Sequence, residues 1–327
     1  MRIFVTGGNG FIGSRVVRQL CAAGHEVRLL LRPASKTHRI DGLPWERVPG
    51  DLGDAAALRA GMDGVDGVVH LASVSSWAQI RSPVMRTVVL DGTAAVLAAA
   101  RAAGGPRVVY VSTVAAVNGA RRPEWMTEET AFQLPPEPFV YATAKHAAEE
   151  MCRAAAAEGL PVVIVNPCEV YGPEDDDFIT ASYLRDALRD WPALATSGGT
   201  ALAHVEDVAA GIVAALTRGR SGERYILGGE NRSVRQIVEL ALEAGGQSGK
   251  LVVQPPRALL VGAVGLLARL GLPTPVDPDL LAHAVLYWYV DSAKAQAELG
   301  YTFRPARETV QSVVDWLIAA GHVPRPA

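Results

Sequence analysis

The sequence predicts an α/β fold, with a doubly wound parallel sheet followed by a smaller, mainly helical C-terminal region. Three observations predict it. Apolar runs of strand length alternate with helical patterns over the first two-thirds of the chain, which is typical of a parallel sheet covered by helices on both faces. The predicted strands are nearly continuous runs of Val, Ile and Leu, as burial on both faces requires. The chain also opens with a strand, a glycine-rich turn and a helix.

The elements follow one another with short connections. Strands are predicted at residues 2–6, 26–31, 47–48, 67–71, 107–112, 161–165 and 223–227. The helices between them are predicted at 10–23, 54–61, 82–103, 141–158 and 207–218. Further helices are predicted at 233–244, 256–271, 278–289, 292–299 and 307–320. We therefore expect one domain from residues 1–168 and 202–229, and a second from residues 169–201 and 230–327.

Composition and charge narrow the class of protein. With 327 residues, 49% of them apolar and 20% charged, the chain is expected to form one large folded domain with a smaller partner. The net charge of −3 and the lack of a basic block argue against nucleic-acid binding. Cys21, Cys152 and Cys168 show no metal-ligand spacing, so we expect reduced thiols, no metal site and a cytoplasmic location.

The first residues and the longest apolar stretch bear on targeting. Residues 1–6 read as a strand, which leaves no room for a signal peptide. The apolar stretch 258–272 contains Arg269 and is shorter than the about 20 residues of a membrane span. A buried helix is the preferred interpretation of this stretch, and a monotopic contact with a membrane is the alternative.

A glycine-rich motif separates the first strand from the first helix. It reads Thr6-Gly7-Gly8-Asn9-Gly10-Phe11-Ile12-Gly13. Gly7 can take the tight turn, Gly10 lets a pyrophosphate approach the backbone, and Gly13 lets the helix pack close to the strand. The helix N-terminus adds free N–H groups and the positive end of a dipole. In this context the motif predicts a Rossmann fold that binds a dinucleotide through residues 6–13.

The end of the second strand favours NADP(H) over NAD(H) as the dinucleotide. An acidic residue here would bind the ribose 2′-hydroxyl of NAD, whereas Arg32 can pair with a 2′-phosphate. Ser35 and Lys36 are candidates for further phosphate contacts. A solvated surface arginine is the alternative interpretation of Arg32.

Two other strand ends are expected to line the cofactor. Asp51 is a candidate acceptor for the adenine amino group, with Leu52 packing on the ring; an ordinary turn aspartate is the alternative. Leu71, Ala72 and Ser73 end the fourth strand, where small residues let the chain pass the cofactor.

Tyr141 and Lys145 form the predicted catalytic pair. Their i,i+4 spacing at the start of a helix puts both side chains on one face. An ammonium beside a phenol favours the phenolate, so we expect Lys145 to lower the pKa of Tyr141 and to suit it for proton transfer. Ser112 and Thr113 end the fifth strand at the ligand crevice, and one of them must point away. Thr113 is the preferred partner of the substrate oxygen, with Ser112 as the alternative.

These motifs together resemble the extended short-chain dehydrogenase/reductase superfamily over nearly the whole chain. Besides the glycine turn and the Tyr141–Lys145 pair, the resemblance rests on Asp51-Leu52, His70-Leu71-Ala72, Tyr171-Gly172-Pro173 and His204-Val205-Glu206-Asp207-Val208. Residues 31–33 and 163–167 are similar to the dihydroflavonol-reductase-like branch, and residues 222–231 to the hopanoid-associated sugar epimerases.

The resemblance carries expectations for the reaction. It implies hydride chemistry with a nicotinamide cofactor, a mechanism carried by Thr113, Tyr141 and Lys145, and an approach of Pro167 to the nicotinamide. It also implies that the second domain binds the substrate.

Two departures from this family bear on the substrate. Its nucleotide-sugar enzymes usually carry an Asn where this chain has Glu169, and often an Arg where it has Thr200. A carboxylate at position 169 would repel a pyrophosphate. The sequence therefore favours a carbonyl reductase, or alcohol dehydrogenase, for a small or medium non-nucleotide substrate that Glu169, Thr113 and Tyr141 contact. A buried, paired carboxylate is the alternative for Glu169. A sugar epimerase or dehydratase with a retained cofactor is the alternative function.

A third departure concerns the catalytic lysine. The family often has an Asn, supporting the lysine through water, where this chain has Val89. We therefore expect an altered proton relay behind Lys145, and a cofactor-binding regulator without turnover is a further hypothesis. A homodimer through the Ala-rich helices 92–103 and 141–158 is also a hypothesis.

Overall fold

The computed structural model describes residues 1–74, 79–274 and 276–324. Its strands are, in chain order, β1 (Arg2–Thr6), β2 (Glu26–Leu31), β3 (Trp45–Pro49), β4 (Gly67–His70), β5 (Arg107–Val111), β6 (Val162–Pro167), β7 (Glu169–Tyr171), β8 (Ala193–Leu194), β9 (Gly199–His204), β10 (Arg224–Leu227), β11 (Glu230–Ser233), β12 (Val252–Val253) and β13 (Tyr287–Trp288).

The helices are, in chain order, α1 (Phe11–Ala22), α2 (Ala55–Met62), α3 (Pro83–Met85), α4 (Gly92–Ala102), α5 (Val140–Ala157), α6 (Ala181–Arg189), α7 (Val205–Arg218), α8 (Val234–Ala244), α9 (Arg257–Arg269), α10 (Pro278–Ala284), α11 (Ala293–Leu299) and α12 (Ala306–Ala319). A π-helix, Arg86–Asp91, joins α3 to α4 without a break.

The main sheet has seven parallel strands in the order β10-β6-β5-β4-β1-β2-β3. The predicted doubly wound parallel sheet is confirmed. From β1 the chain moves outward to β2 and β3, and then crosses to β4 on the other side of β1. In such a sheet the ligand crevice opens at the carboxyl ends of the strands where the order reverses. The segments that follow β1 and β4 therefore border the crevice.

Alternate residues of the strands fill a separate core on each face of the sheet. From β1, Ile3 and Val5 pack on one side with Leu20 of α1 and Ile212 of α7. Phe4 points to the opposite side, into the core that α2, α4 and α5 cover. Each of these side chains is fully buried, which stabilises the fold by roughly 1.5–3 kcal/mol per residue. Burial on both faces explains why the sheet strands have continuous apolar sequences.

A second, smaller sheet forms beside the first. Its central strand β9 pairs with β7 and β13 in parallel and with β11 antiparallel. The predicted helix 278–289 is wrong in its second half, because α10 ends at Ala284 and Tyr287–Trp288 forms β13. Backbone pairing with β9, remote in sequence, overrides the local helical pattern of this segment.

The predicted helix 82–103 has the expected extent, but its middle is a π-helix. Residues Pro83–Ala102 are long and apolar enough to cross a membrane by length and composition. In the structure this segment packs against α2 and α5, and Val89 and Val96 are buried in the core. A place in the protein's own core accounts for its apolar composition.

The prediction of a buried helix for the apolar stretch 258–272 is wrong for α9. Of its residues only Val264 is buried, in a small cluster with Leu281 and Val285. The helix packs on α10 along one side. Its other sides are exposed, and they carry leucines.

Candidate active site

The glycine turn at the end of β1 has the shape that a bound pyrophosphate requires. Gly7 has φ of +73°, which is strained for any residue with a side chain. A Cβ there would lie 2.7 Å from the Ala72 backbone nitrogen, and a Cβ at Gly13 would overlap the Gly7 carbonyl oxygen. No side chain caps the start of α1 at Gly10, so the N–H groups of Phe11 and Ile12 remain available for an anion. These features fit a dinucleotide.

Thr6, predicted as a cofactor contact, has its side chain turned into the sheet. Its hydroxyl lies 2.7 Å from His70 Nδ1 and accepts a hydrogen bond from the Ala72 N–H at 3.3 Å. The other ring nitrogen of His70 lies 3.2 Å from the Thr93 hydroxyl. Burial, with a smaller effect of the Lys145 charge, lowers the pKa of His70 to about 3. This neutral network fixes the ends of β1 and β4 where they meet. It also aligns Leu71, whose N–H donates to the Thr6 carbonyl at 3.0 Å.

The basic side chains in and after β2 fall into two groups, those that are paired with an acidic residue and those that are not. Arg28 pairs with Glu46 at 3.0 Å, and Arg39 pairs with Asp176 at 3.0 Å, so both are neutralised. Arg32 and Lys36 are exposed, and their side chains make no ion pair within the part of the chain that the structure describes. Asn9 of the glycine turn donates to the Lys36 carbonyl at 3.0 Å, which holds Lys36 beside the turn.

Two predicted adenine contacts lie beyond the end of β3. Asp51 is exposed and accepts a hydrogen bond from the Gly53 N–H at 2.8 Å, as in an ordinary turn. Leu52 packs on α4 so closely that a Cβ at Gly92 would lie 2.6 Å from it. The Asp51 and Leu52 side chains therefore already have structural partners. Ser73, predicted to line the cofactor after β4, is exposed.

Lys145 and Tyr141 lie on the first turns of α5, as the spacing predicts. The Lys145 ammonium is buried, donates to the Val111 carbonyl at 2.9 Å, and lies 4.5 Å from the centre of the Tyr110 ring. Burial lowers the pKa of Lys145 to about 8, and the charge of Glu149 opposes this effect. Lys145 is thus held at the end of β5.

The expected lowering of the Tyr141 pKa is wrong for this structure. Burial raises the pKa of Tyr141 to about 12, and the nearby Thr113 side chain opposes the increase. The Lys145 ammonium is directed to the Val111 carbonyl. Tyr141 is therefore a protonated phenol at neutral pH, which suits a proton donor.

Of the two hydroxyls after β5, Thr113 is the one that meets Tyr141. Its side chain also accepts from the Ala115 N–H at 3.3 Å, which caps a short 3₁₀ helix, Val114–Ala116. The Ser112 hydroxyl is buried and has no hydrogen-bond partner among the residues that the structure describes. The extended backbone thus turns one hydroxyl to Tyr141 and the other inward.

Glu149 is a site residue that the sequence analysis missed. Its carboxylate is fully buried one helical turn beyond Lys145, and it accepts hydrogen bonds from Asn166, at 2.5 Å, and from Arg153, at 3.1 Å. The same Asn166 amide donates to the Thr113 carbonyl at 2.9 Å. The i,i+4 repeat of Tyr141, Lys145 and Glu149 was the available signal. The Val89 side chain is buried among apolar residues on the same side of the sheet.

The two residues that depart from the nucleotide-sugar pattern meet in the structure. Glu169 accepts a hydrogen bond from the Tyr171 hydroxyl at 3.0 Å, whereas the nearby Thr200 hydroxyl donates to the Ala201 carbonyl at 3.3 Å. Burial raises the pKa of Glu169, and the Tyr171 and Thr200 side chains oppose this effect. Glu169 is therefore a half-buried carboxylate with a hydroxyl partner, which corresponds to the paired alternative. Pro167, at the end of β6, is buried two residues before it.

The described residues contain no group of three or more His, Cys, Asp or Glu side chains placed to hold a metal ion. Cys152 and Cys168 are buried free thiols, and burial raises the pKa of both.

Comparisons with known proteins agree with this geometry. The model of the NAD dependent epimerase/dehydratase family matches residues 3–228. The chain is 36% identical to "Putative dihydroflavonol 4-reductase" of Synechocystis sp., over 98% of this chain and 95% of that protein. It is 33% identical to 4-hydroxy-2-methyl-3-oxo-4-farnesyl-3,4-dihydroquinoline-1-oxide ketoreductase of Stigmatella aurantiaca, over 98% and 97% of the two chains.

A solved structure is similar over its whole length. It is PA4631, described as a nucleoside-diphosphate-sugar epimerase from Pseudomonas aeruginosa, with a TM-score of 0.82, 26% identity and 99% of both chains covered. The 36% identity to the dihydroflavonol-reductase-like protein of Synechocystis confirms the resemblance to that branch of the family.

Proposed function

Because the chain belongs to the NAD dependent epimerase/dehydratase family, as an extended short-chain oxidoreductase, we propose that it reduces a ketone of an apolar, non-nucleotide substrate with NADPH. The reverse oxidation of the alcohol uses the same groups. The observation that carries the proposal is that Thr113, at the end of β5, lies near enough to Tyr141 to lower its pKa, with Lys145 one turn away from Tyr141 on α5.

The proposed mechanism assigns one task to each group. Thr113 and Tyr141 hold the carbonyl oxygen of the substrate, and Tyr141 donates its proton to that oxygen as the alcohol forms. The glycine turn would hold the nicotinamide cofactor, which would supply the hydride for the carbonyl carbon. Lys145 would hold the nicotinamide ribose and stabilise the phenolate that Tyr141 leaves behind. Pro167 and the adjoining backbone would border the nicotinamide.

The contacts of Glu169 support a non-nucleotide substrate. A sugar nucleotide needs donors for its pyrophosphate, and at this point the chain offers a carboxylate that accepts a hydrogen bond from Tyr171. The ketoreductase of Stigmatella is named for a farnesylated ketone, which supports an apolar substrate. The epimerase alternative predicts a cofactor that survives purification and is not consumed, so the absorbance spectrum of the purified protein separates the two functions.

Replacement of the proposed proton donor tests the mechanism. We expect Tyr141→Phe to lower kcat for NADPH-dependent ketone reduction by roughly 10²–10⁴-fold, the usual contribution of a general acid. Turnover is measured as loss of NADPH absorbance across a panel of apolar ketones. Tyr225→Phe is the control, because Tyr225 lies on the outer strand β10 and its hydroxyl donates a hydrogen bond to Glu298 of α11. A Tyr141→Phe protein as fast as wild type would contradict the mechanism.

A further inference from the structure

Helix α9 carries an exposed apolar stripe. Leu259, Leu266 and Leu270 are 69%, 59% and 63% exposed. With Ala263, their i, i+4, i+7 and i+11 spacing places them on one side of the helix and the residue that follows it. Soluble proteins seldom expose several large apolar side chains in one patch without a partner for them.

The described part of the chain leaves this stripe uncovered. The helix is held from another side, where Val264 packs with Leu281 and Val285. A Cβ added at Gly262 or Gly265 would meet no atom within 4 Å, so α9 is open where these two glycines lie. The stripe is thus available to a partner while the helix remains anchored.

The charges around the stripe indicate what that partner is. Residues 248–274 contain Lys250, Arg257 and Arg269 and no acidic residue, although the whole chain has a net charge of −3. Arg257 and Arg269 stand near the two ends of the stripe and form no ion pair within the described residues. Cations beside exposed leucines complement anionic headgroups above an acyl layer. A second copy of this chain would bring the same unpaired cations together.

We propose that α9 docks this protein onto the surface of an anionic lipid bilayer. The leucines enter the boundary between headgroups and acyl chains, and the arginines remain among the headgroups. With 13 residues, α9 is too short to span a bilayer, which takes about 20. The helix therefore lies in the plane of the interface.

The docking helix is connected to the segment before the catalytic helix. Asp279 of α10, which packs on α9, accepts two hydrogen bonds from Arg81, at 2.6 and 2.9 Å. Arg81 also donates to Glu137 at 2.7 Å, four residues before Tyr141. A bilayer bound at α9 is thus joined by two ion pairs to the chain that leads into the active site.

Vesicle sedimentation of the full-length protein tests the proposal. We expect the wild type to sediment with vesicles of phosphatidylglycerol and phosphatidylcholine, and much less with phosphatidylcholine alone or in high salt. Leu259→Gln/Leu266→Gln/Leu270→Gln should weaken binding by roughly tenfold or more, since each leucine contributes burial energy. Arg257→Gln/Arg269→Gln should remove the preference for the anionic lipid.

The control is Trp191→Gln/Leu194→Gln, which removes two exposed apolar side chains elsewhere and should bind like the wild type. Equal binding by the leucine variant and the wild type would overturn the proposal. A second pair of results would also overturn it: no vesicle binding by the wild type, together with a wild-type dimer in light scattering that the three leucine substitutions dissociate. Reduction of a water-soluble ketone by all of these proteins is measured separately, so failure of docking and failure of the proposed function are distinguishable.

Discussion

The catalytic lysine has an environment that gives the reaction a defined pH range. Burial lowers the pKa of Lys145 to about 8, so its ammonium loses its proton as the pH rises through that value. The buried Glu149 carboxylate opposes this effect and raises the pKa. Ketone reduction that depends on the Lys145 charge should therefore decline above about pH 8.

The interaction of Glu149 with Lys145 predicts a shift of the pH profile of ketone reduction when Glu149 is replaced. In Glu149→Gln the anion that raises the pKa of Lys145 is lost, so the decline of kcat/KM should begin at lower pH than in the wild type. Glu150→Gln, at the next residue but exposed, is the matched control and should leave the profile in place. The profiles are recorded from pH 6 to pH 10 at saturating NADPH. A Glu149→Gln profile that coincides with the wild type would show that the lysine charge does not limit the rate.

Arg32 determines the cofactor in our proposal. We expect Arg32→Ala to lower kcat/KM for NADPH by roughly tenfold or more, because NADPH has a 2′-phosphate that can pair with the guanidinium. The value of kcat/KM for NADH, which has no 2′-phosphate, should change little. Arg28→Ala is the control, since Arg28 is already paired with Glu46. If the wild type prefers NADH, the assignment of NADP(H) is wrong.

At the scale of elements, the loop before α6 is more ordered than its three aspartates suggest. Three consecutive aspartates, 175–177, are typical of a solvated loop, but Asp175 is fully buried. Its carboxylate accepts hydrogen bonds from the backbone N–H groups of Ile179, Thr180 and Ala181, at 3.1, 2.9 and 2.9 Å. A carboxylate at this point satisfies N–H groups at the start of α6 and just before it, and it interacts favourably with the positive end of the helix dipole.

Loss of this cap should destabilise the protein. We expect Asp175→Ala to reduce the free energy of unfolding by about 2 kcal/mol or more, because several buried N–H groups lose a charged acceptor. Asp177→Ala, which removes an exposed carboxylate from the same loop, should cost less than about 0.5 kcal/mol. Urea unfolding measures both changes. Equal stability of the two variants would assign no such role to Asp175.

Across the whole molecule, prediction from sequence succeeded where the signal is local. The inner strands of the main sheet are buried on both faces, so their apolar runs identify them. The glycine turn and the Tyr141–Lys145 spacing each lie within a short stretch of the chain. The second sheet was missed because β7, β11 and β13 are only two to four residues long and are defined by pairing with β9. The exposure of α9 was missed for a related reason, since an apolar helix has the same pattern whether its neighbours cover it or not.

The pairing of β9 also sets an order for assembly during synthesis. The main sheet needs nothing beyond Leu227 at the end of β10, whereas β9 gains β13 only after Tyr287 has been made. A nascent chain that has emerged to about residue 230 therefore contains all seven strands of the main sheet, while the strand ending at His204 still waits for a distant partner. The second sheet is completed last, so a ribosome that stalls between these two points would leave a fragment with every main-sheet strand but without β13 beside β9 and without α11, which packs on β10 and α7.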